Sequence, residues 1–154
     1  MERRKLSDLI DEDVFFQAEI RIGPFKVLEK IGNGQFATVS LGIHEETKEK
    51  VAIKQIKKSE LNTDNLLTKE INIQKILFHP YLTKMYCVIE KEDNIYIITE
   101  YCSKGDVLNF MIENRVFEEE EACKIFQQVL SSLEYLHNNY INAILFFYYT
   151  IHFC

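Results

Sequence analysis

A glycine-rich turn between two apolar runs is the feature that most constrains how this chain folds. The turn is Ile31-Gly32-Asn33-Gly34-Gln35-Phe36-Ala37-Thr38-Val39, and a strand and a polar turn later comes Val51-Ala52-Ile53-Lys54. Two glycines flanking one residue leave no side chains in the way, so backbone N–H groups can approach a phosphate and donate to it. Such a loop is a weak signal alone. Its position between strands strengthens the signal, and Lys54 can add positive charge.

Composition indicates a soluble, folded chain with room for one domain or slightly more. Its 154 residues are 47% hydrophobic, which is ordinary for a globular protein. The 18 basic and 24 acidic residues give a net charge of −6, which opposes binding to nucleic acid or to anionic lipid. We therefore expect small-molecule or protein partners, and neither nucleic acid nor a membrane.

The cysteines and the two termini indicate no further ligand and no membrane or secretory segment. The four cysteines are widely spaced and form no Cys-x-x-Cys pair, so they suggest neither a zinc site nor a redox dithiol. We expect free thiols and a cytoplasmic location. Residues 1–5 start like a signal peptide, but acidic residues interrupt the apolar core that one needs. The apolar run 141–154 is shorter than a membrane span.

Residues 25–102 combine strand-like runs with one helix. A run from Phe25, together with Val39–Ile43 and Lys50–Ile56, predicts three antiparallel strands, and Met85–Ile89 and Ile95–Thr99 predict two more. Between the third and the fourth of these strands the apolar residues have helical spacing. Asn62 or Thr63 can cap this helix, which ends before His79-Pro80. The helical positions are Leu66, Leu67, Glu70, Ile71, Ile73, Gln74 and Leu77. The sequence therefore predicts an open five-stranded sheet with a helix on one face.

Beyond residue 102 the pattern is helical. Asp106 can cap a short helix that reaches Ile112, and Glu118–Glu121 place negative charge on the first turn of a longer helix that ends near His137. Apolar side chains on the longer helix recur every three or four residues and predict one buried face. They are Ala122, Ile125, Phe126, Val129, Leu133 and Leu136.

These motifs, in this order, resemble the signature set of protein kinases. The resemblance rests on Gly32-Asn33-Gly34…Val39, on Val51-Ala52-Ile53-Lys54, and on Glu70 in the following helix. Residues 100–106 are similar to the kinase hinge, and residues 122–137 to the long helix of the large lobe. The similarity covers residues 25 to about 140 and is strongest to serine/threonine kinases of the calmodulin-dependent and AMP-activated group.

The resemblance implies an α+β fold: a kinase-like small lobe of five antiparallel strands and the C-helix, followed by the first helices of the large lobe. The chain then divides into four parts. Residues 1–24 are an N-terminal extension, either a short amphipathic helix or a disordered arm. Residues 25–102 are the small lobe and hinge, 103–140 start the large lobe, and 141–154 are an atypical apolar tail.

The resemblance also implies ATP as the ligand. The backbone from Gly32 to Gly34 would lie over the phosphates, with Phe36 at the loop tip excluding water. Lys54 would contact the α- and β-phosphates and would be held by Glu70. The residues implied in nucleotide binding are Ile31, Gly32, Asn33, Gly34, Gln35, Phe36, Ala37, Thr38, Val39, Ala52, Lys54, Thr99, Glu100, Cys102 and Asp106.

The base and the ribose would be held by residues around the hinge. Side chains on both sides would sandwich the adenine, Thr99 would be the gatekeeper, and backbone groups of Glu100 and Cys102 would bond the adenine edge. Asp106 would lie near the ribose. The sandwiching residues would be Ile31, Val39 and Ala52.

Taken singly, each of these residues has an ordinary structural explanation. Glu70 could be a solvated helix residue, and Lys54 could extend to solvent from a strand end. Only the joint spacing indicates a nucleotide pocket. Ala37 replaces the third loop glycine of the family, which stiffens the loop without blocking phosphate contact.

The catalytic elements of the family do not follow. Phosphoryl transfer uses a catalytic-loop Asp, an Asn and the Asp of Asp-Phe-Gly, the last two holding Mg²⁺. Counted from His137, the His-Arg-Asp register falls on Ala143-Ile144-Leu145, and the sequence contains no Asp-Phe-Gly. The sequence indicates a kinase domain truncated before its catalytic loop, with Lys54 and Glu70 as a positioning pair and the Mg²⁺ ligands missing. We expect ATP binding without transfer to protein Ser/Thr. The alternative is a non-catalytic, pseudokinase-like module that regulates a partner.

Overall fold

The structure, a computed structural model, describes residues 19–34, 37–60, 66–103, 105, 107, 111–112 and 117–141. Within these ranges a short 3-10 turn, Lys58–Glu60, follows the fourth strand, and Val107, Met111 and Ile112 are helical. The strands and longer helices are β1 (Arg21–Ile22), β2 (Phe25–Asn33), β3 (Ala37–His44), β4 (Lys50–Lys57), α1 (Leu66–Ile76), β5 (Met85–Glu90), β6 (Asn94–Glu100) and α2 (Glu119–Asn138).

The strands form one antiparallel sheet in the order β1-β2-β3-β4-β6-β5. The five predicted strands and the α+β class are confirmed, and β1 is a sixth strand that the sequence did not predict. Gly23 adopts a φ of 57°, so the chain reverses between Ile22 and Phe25 and the two residues of β1 pair with β2. A strand of two residues is too short to show periodicity.

Apolar side chains pack on both faces of the sheet. One cluster gathers the fully buried Val51, Ile53 and Ile98 with Phe25 and other residues of the first strands. Gly42 belongs to this packing, because a Cβ there would lie 2.4 Å from Ile53 Cδ1. The cluster on the opposite face contains Ile56, Ile97 and Ile71 of α1. The sheet and α1 therefore bury a core between them.

Helix α2 begins and ends as its sequence indicates, but its predicted face is only partly buried. The Glu118 N–H donates to the Glu121 carboxylate at 3.3 Å, and the first turn is acidic. Leu136 is buried, with Leu82, in a cluster that also includes Ile141. The prediction of burial is wrong for Ala122 and Phe126, which are exposed. In the described part of the chain, α2 packs mainly through its C-terminal half.

The structure also tests what the sequence predicts about the cysteine thiols and about membrane-spanning helices. Free thiols are confirmed at Cys87 and Cys123, but the expectation is wrong for Cys102, which is disulfide-bonded. Among the described residues, no helix combines the length and the apolar character that a bilayer crossing requires. The predicted caps of α1 (Asn62 or Thr63) and of the short helix (Asp106), and the tail after Ile141, lie outside the described residues.

Candidate functional site

The sheet register brings four of the predicted site residues together. Val39 on β3 lies opposite Lys54 on β4, Lys54 lies opposite Ile97 on β6, and Ala52 lies opposite Thr99. Directly opposed residues share a face of a sheet. The four therefore lie on one face, the same face on which Ile97 packs against α1. All four are half-buried, so a cation lies beside small, mostly apolar side chains on a partly covered surface.

The described part of the glycine turn continues the pairing of β2 with β3. Gly32 lies opposite Val39, and the Gly34 N–H donates to the Ala37 carbonyl at 2.8 Å. The Gly34 amide is therefore engaged inside the turn, and a phosphate could accept from it only in competition with Ala37. The predicted tip residues Gln35 and Phe36 lie outside the described residues.

The side chains of Asn33 and Thr38 lie on the other face of this hairpin. The two residues are opposite each other, one position along from Gly32 and Val39, and side chains alternate between the faces of a strand. The Thr38 hydroxyl donates to Asn33 Oδ1 at 3.4 Å. If these residues contact a nucleotide, they do so through their backbone. Ile31 is skipped by the register between Lys30 and Gly32, and its side chain is 43% exposed.

Helix α1 places Glu70 near the same face. Glu70 precedes Ile71, which packs against Ile56 and Ile97 of the sheet. Ile56 is two residues from Lys54 on β4, so α1 lies over the strand next to the lysine. The Glu70 side chain is outside what the structure describes, and its ion pair with Lys54 stays a prediction.

The end of β6 bonds to Lys84, the residue before β5, and the chain then turns between Cys102 and Gly105. The Glu100 N–H donates to the Lys84 carbonyl at 2.9 Å, and the Lys84 N–H donates to the Glu100 carboxylate at 3.3 Å. The Gly105 N–H then donates to the Cys102 carbonyl at 3.3 Å, with Gly105 in the left-handed region at a φ of 70°. The two predicted hinge residues thus lie at the end of β6, next to the face that carries Ala52 and Lys54. Asp106 is outside the described residues.

A tyrosine near this segment has a perturbed pKa. The Tyr86 hydroxyl donates to the Glu49 carboxylate at 2.8 Å. Partial burial, followed by the bond to Glu49, raises the pKa of Tyr86 to about 12, because both favour the neutral phenol. Tyr86 is therefore a neutral hydrogen-bond donor at physiological pH.

The described residues do not fit a metal centre. No group of three or more His, Cys, Asp or Glu side chains is placed to hold a metal ion in that part of the chain. The cationic Lys54 is the predicted phosphate-binding group that the described face presents.

A set of contacts that was not predicted from sequence joins α1, the following loop and α2. We call this set, formed by Phe78, His79, Ser131 and Tyr135, the seam. The Phe78 N–H donates to the Tyr135 hydroxyl at 3.1 Å, and the His79 ring stacks on the Tyr135 ring with centroids 5.1 Å apart. His79 Nε2 lies 3.3 Å from the Ser131 hydroxyl, and its Nδ1 accepts from the Tyr81 N–H. His79 is thus a hydrogen-bonding residue of the loop after α1. The spacing of Ser131 and Tyr135, one turn apart on α2, was the available signal.

Comparison with known proteins decides the family. The protein kinase domain family matches residues 25–143. The chain belongs to the protein kinase family. The resemblance in the glycine turn, the β4 lysine and the hinge is therefore confirmed as kinase ancestry, and the fold is an incomplete kinase small lobe with the start of the large lobe.

Similar kinases are of the serine/threonine type. The chain is 40% identical to rat serine/threonine-protein kinase SIK1 over 127 residues, which cover 81% of this chain and 16% of SIK1. It is 41% identical over 120 residues to the probable serine/threonine-protein kinase MARK-A of Dictyostelium discoideum, covering 76% of this chain and 11% of MARK-A. The chain thus spans less than a fifth of the length of these relatives.

A solved kinase structure has the same fold. The crystal structure of Rad53 residues 1–466 in complex with AMP-PNP superposes with a TM-score of 0.67 at 28% identity. The similarity covers 75% of this chain and 30% of the Rad53 chain.

Proposed function

We propose that this chain is the nucleotide-binding part of a serine/threonine protein kinase and that it holds ATP between the Gly32–Gly34 turn and β4. The observation that carries the proposal is the register that places Val39, Lys54 and Thr99 on one half-buried face beside the end of β6. The Rad53 structure, a complex with AMP-PNP, supports the choice of ligand.

The side chains on this face divide the work of binding. Val39 and Ala52 offer apolar surface to the faces of the adenine. The backbone at Glu100 and Cys102 offers hydrogen-bonding groups to the edge of the adenine. The Lys54 ammonium opposes the charge of the α- and β-phosphates. Because Lys54 is half-buried, its attraction to a phosphate is screened less than it would be at an exposed position.

We also propose that the chain binds ATP without transferring its phosphoryl group. Counted from His137, Leu145 falls at the register of the family's catalytic Asp, and an aliphatic side chain can neither orient a substrate hydroxyl nor bind a metal. With Lys54 and backbone amides alone, less of the triphosphate charge is neutralised than in a site that also holds Mg²⁺. We therefore expect no transfer to protein Ser/Thr by these 154 residues.

Isothermal titration with ATP tests the binding. The Lys54→Met variant should bind about ten- to a hundredfold more weakly, because a charge-assisted phosphate contact contributes about 1.5–3 kcal/mol. Lys50→Met is the matched control, since Lys50 is exposed at the start of the same strand and should leave the affinity unchanged. The proposal is wrong if the unaltered chain does not bind ATP, or if the two variants bind alike.

A phosphorylation assay tests the second part. We expect no transfer from labelled ATP to the chain itself or to generic protein substrates at chain concentrations above the measured Kd. The Lys54→Met variant sets the background. A signal above that background from the unaltered chain would show that a catalytic group has been overlooked.

A further inference from the structure

We propose that the hydrogen bond between Thr38 and Asn33 is a positioning contact that fixes the spacing of the glycine turn for phosphate binding. The inference rests on the proposed function and deepens it. It concerns two residues that the resemblance placed among the nucleotide-binding positions but whose side chains lie on the outer face of the hairpin.

The hairpin geometry brings the two side chains of this pair close together. Bonded and non-bonded pairs alternate along an antiparallel ladder. The Gly34 N–H donates to Ala37, so the next pair, Asn33 and Thr38, occupies a non-hydrogen-bonded position. Cα atoms in such pairs approach to about 4.5 Å, and their side chains interact most closely. The Thr38 hydroxyl indeed donates to Asn33 Oδ1, at 3.4 Å.

The neighbouring pair, whose side chains belong to the face that carries Val39 and Lys54, has no such side-chain contact. Gly32 lies opposite Val39, and a glycine has no side chain with which to hold its partner strand. The Asn33–Thr38 bond is therefore the side-chain tie between β2 and β3 at the point where the turn leaves the sheet. It acts from the face opposite Val39 and Lys54, so it need not touch the nucleotide.

Such a tie matters for phosphates more than for the base. In the proposed site the phosphates lie against backbone of the turn other than the Gly34 amide, which Ala37 engages, and a turn that is already ordered loses less conformational freedom on binding. Adenine lies against Val39, Ala52 and Thr99, which the sheet holds through full-length strand pairing. Loss of the tie should therefore weaken binding of ATP while leaving binding of adenosine unchanged.

The variant Thr38→Val tests this, because valine keeps the shape and β-propensity of threonine and removes only the donor. We expect the Kd for ATP to rise about two- to fivefold, the range of a cross-strand side-chain pair, and the Kd for adenosine to stay constant. Ser40→Ala is the matched control, since Ser40 lies two residues along the same face of β3 and should change neither affinity. Asn33→Ala should equal Thr38→Val, and the double variant should be no weaker than either.

Hydrogen exchange at the Gly34 amide gives a readout that needs no nucleotide. This amide should exchange faster in Thr38→Val than in the unaltered chain or in Ser40→Ala, because the bond to Ala37 opens more often once the neighbouring tie is lost. Unchanged Gly34 exchange, or equal weakening of ATP and adenosine, would overturn the positioning role. Failure of the unaltered chain to bind ATP would instead overturn the proposed function and this role together.

Discussion

The six-stranded sheet and helix α2 differ in how completely their apolar side chains are covered. In the sheet, Ile53 is 1% exposed and Ile98 0%, and both faces carry buried clusters. On α2, Leu136 is buried, whereas Phe126 is 61% exposed and Leu130 48%. The sheet thus has a core of its own, and α2 is attached through the seam around Tyr135. We infer that the sheet supplies most of the stability of this chain.

The largest expected effect lies in the sheet. Ile98→Ala should lower the free energy of unfolding by about 2–5 kcal/mol, because it leaves a cavity among fully buried neighbours. The matched control is Ile76→Ala at the end of α1, where the side chain is 73% exposed and the change should stay within about 0.5 kcal/mol. Urea unfolding measures both. Equal losses of unfolding free energy in the two variants would contradict the distinction between a buried sheet and an exposed helical surface.

A smaller effect is expected at the seam. Tyr135→Phe removes the hydroxyl that accepts from the Phe78 N–H but keeps the ring stacked on His79, so it should cost about 1 kcal/mol. Hydrogen exchange should become faster in the C-terminal half of α2 and should change less in β4 and β6. Tyr140→Phe, at a residue 99% exposed, is the control. Uniform acceleration in sheet and helix would indicate that the two regions unfold as one unit.

The smallest effect is a pH dependence inside the sheet. The pKa of Tyr86 is raised from 10 to about 12, so the neutral form is favoured in the folded state. Its contribution to stability is complete below about pH 10 and is lost as the pH rises towards 12. Tyr86→Phe should flatten the fall in stability across this window, measured by urea unfolding at several pH values. An absorbance titration in which Tyr86→Phe removes a group ionising near pH 10 would contradict the assignment.

Much of the sheet could be predicted from sequence, and its register could not. The strands β3 and β4 were predicted to within two residues because their β-branched runs are long and end at polar turns. The face of Asn33 could not be predicted, because β2 has irregular register between Val27 and Glu29 and again between Lys30 and Gly32. Each irregularity changes which face the following side chains occupy, and periodicity does not count them.

The helical half shows a different limit. The spacing along α2 indicated which side chains could be buried together, and Leu136 is buried as predicted. Phe126 is not buried, because the periodicity of one helix does not show whether another element covers its apolar face. Site roles such as the Lys54–Glu70 pair came from the family resemblance, since no single residue type there distinguishes a pocket from an ordinary strand surface.

Gly32 is a glycine that the fold itself does not require. It lies outside the left-handed region, and a Cβ placed on it would sit 3.5 Å from Val39 Cβ, an ordinary van der Waals distance. The fold itself would therefore accept alanine at this position. On the proposed function, the space beside Val39 that a methyl group at residue 32 would fill is left to the nucleotide.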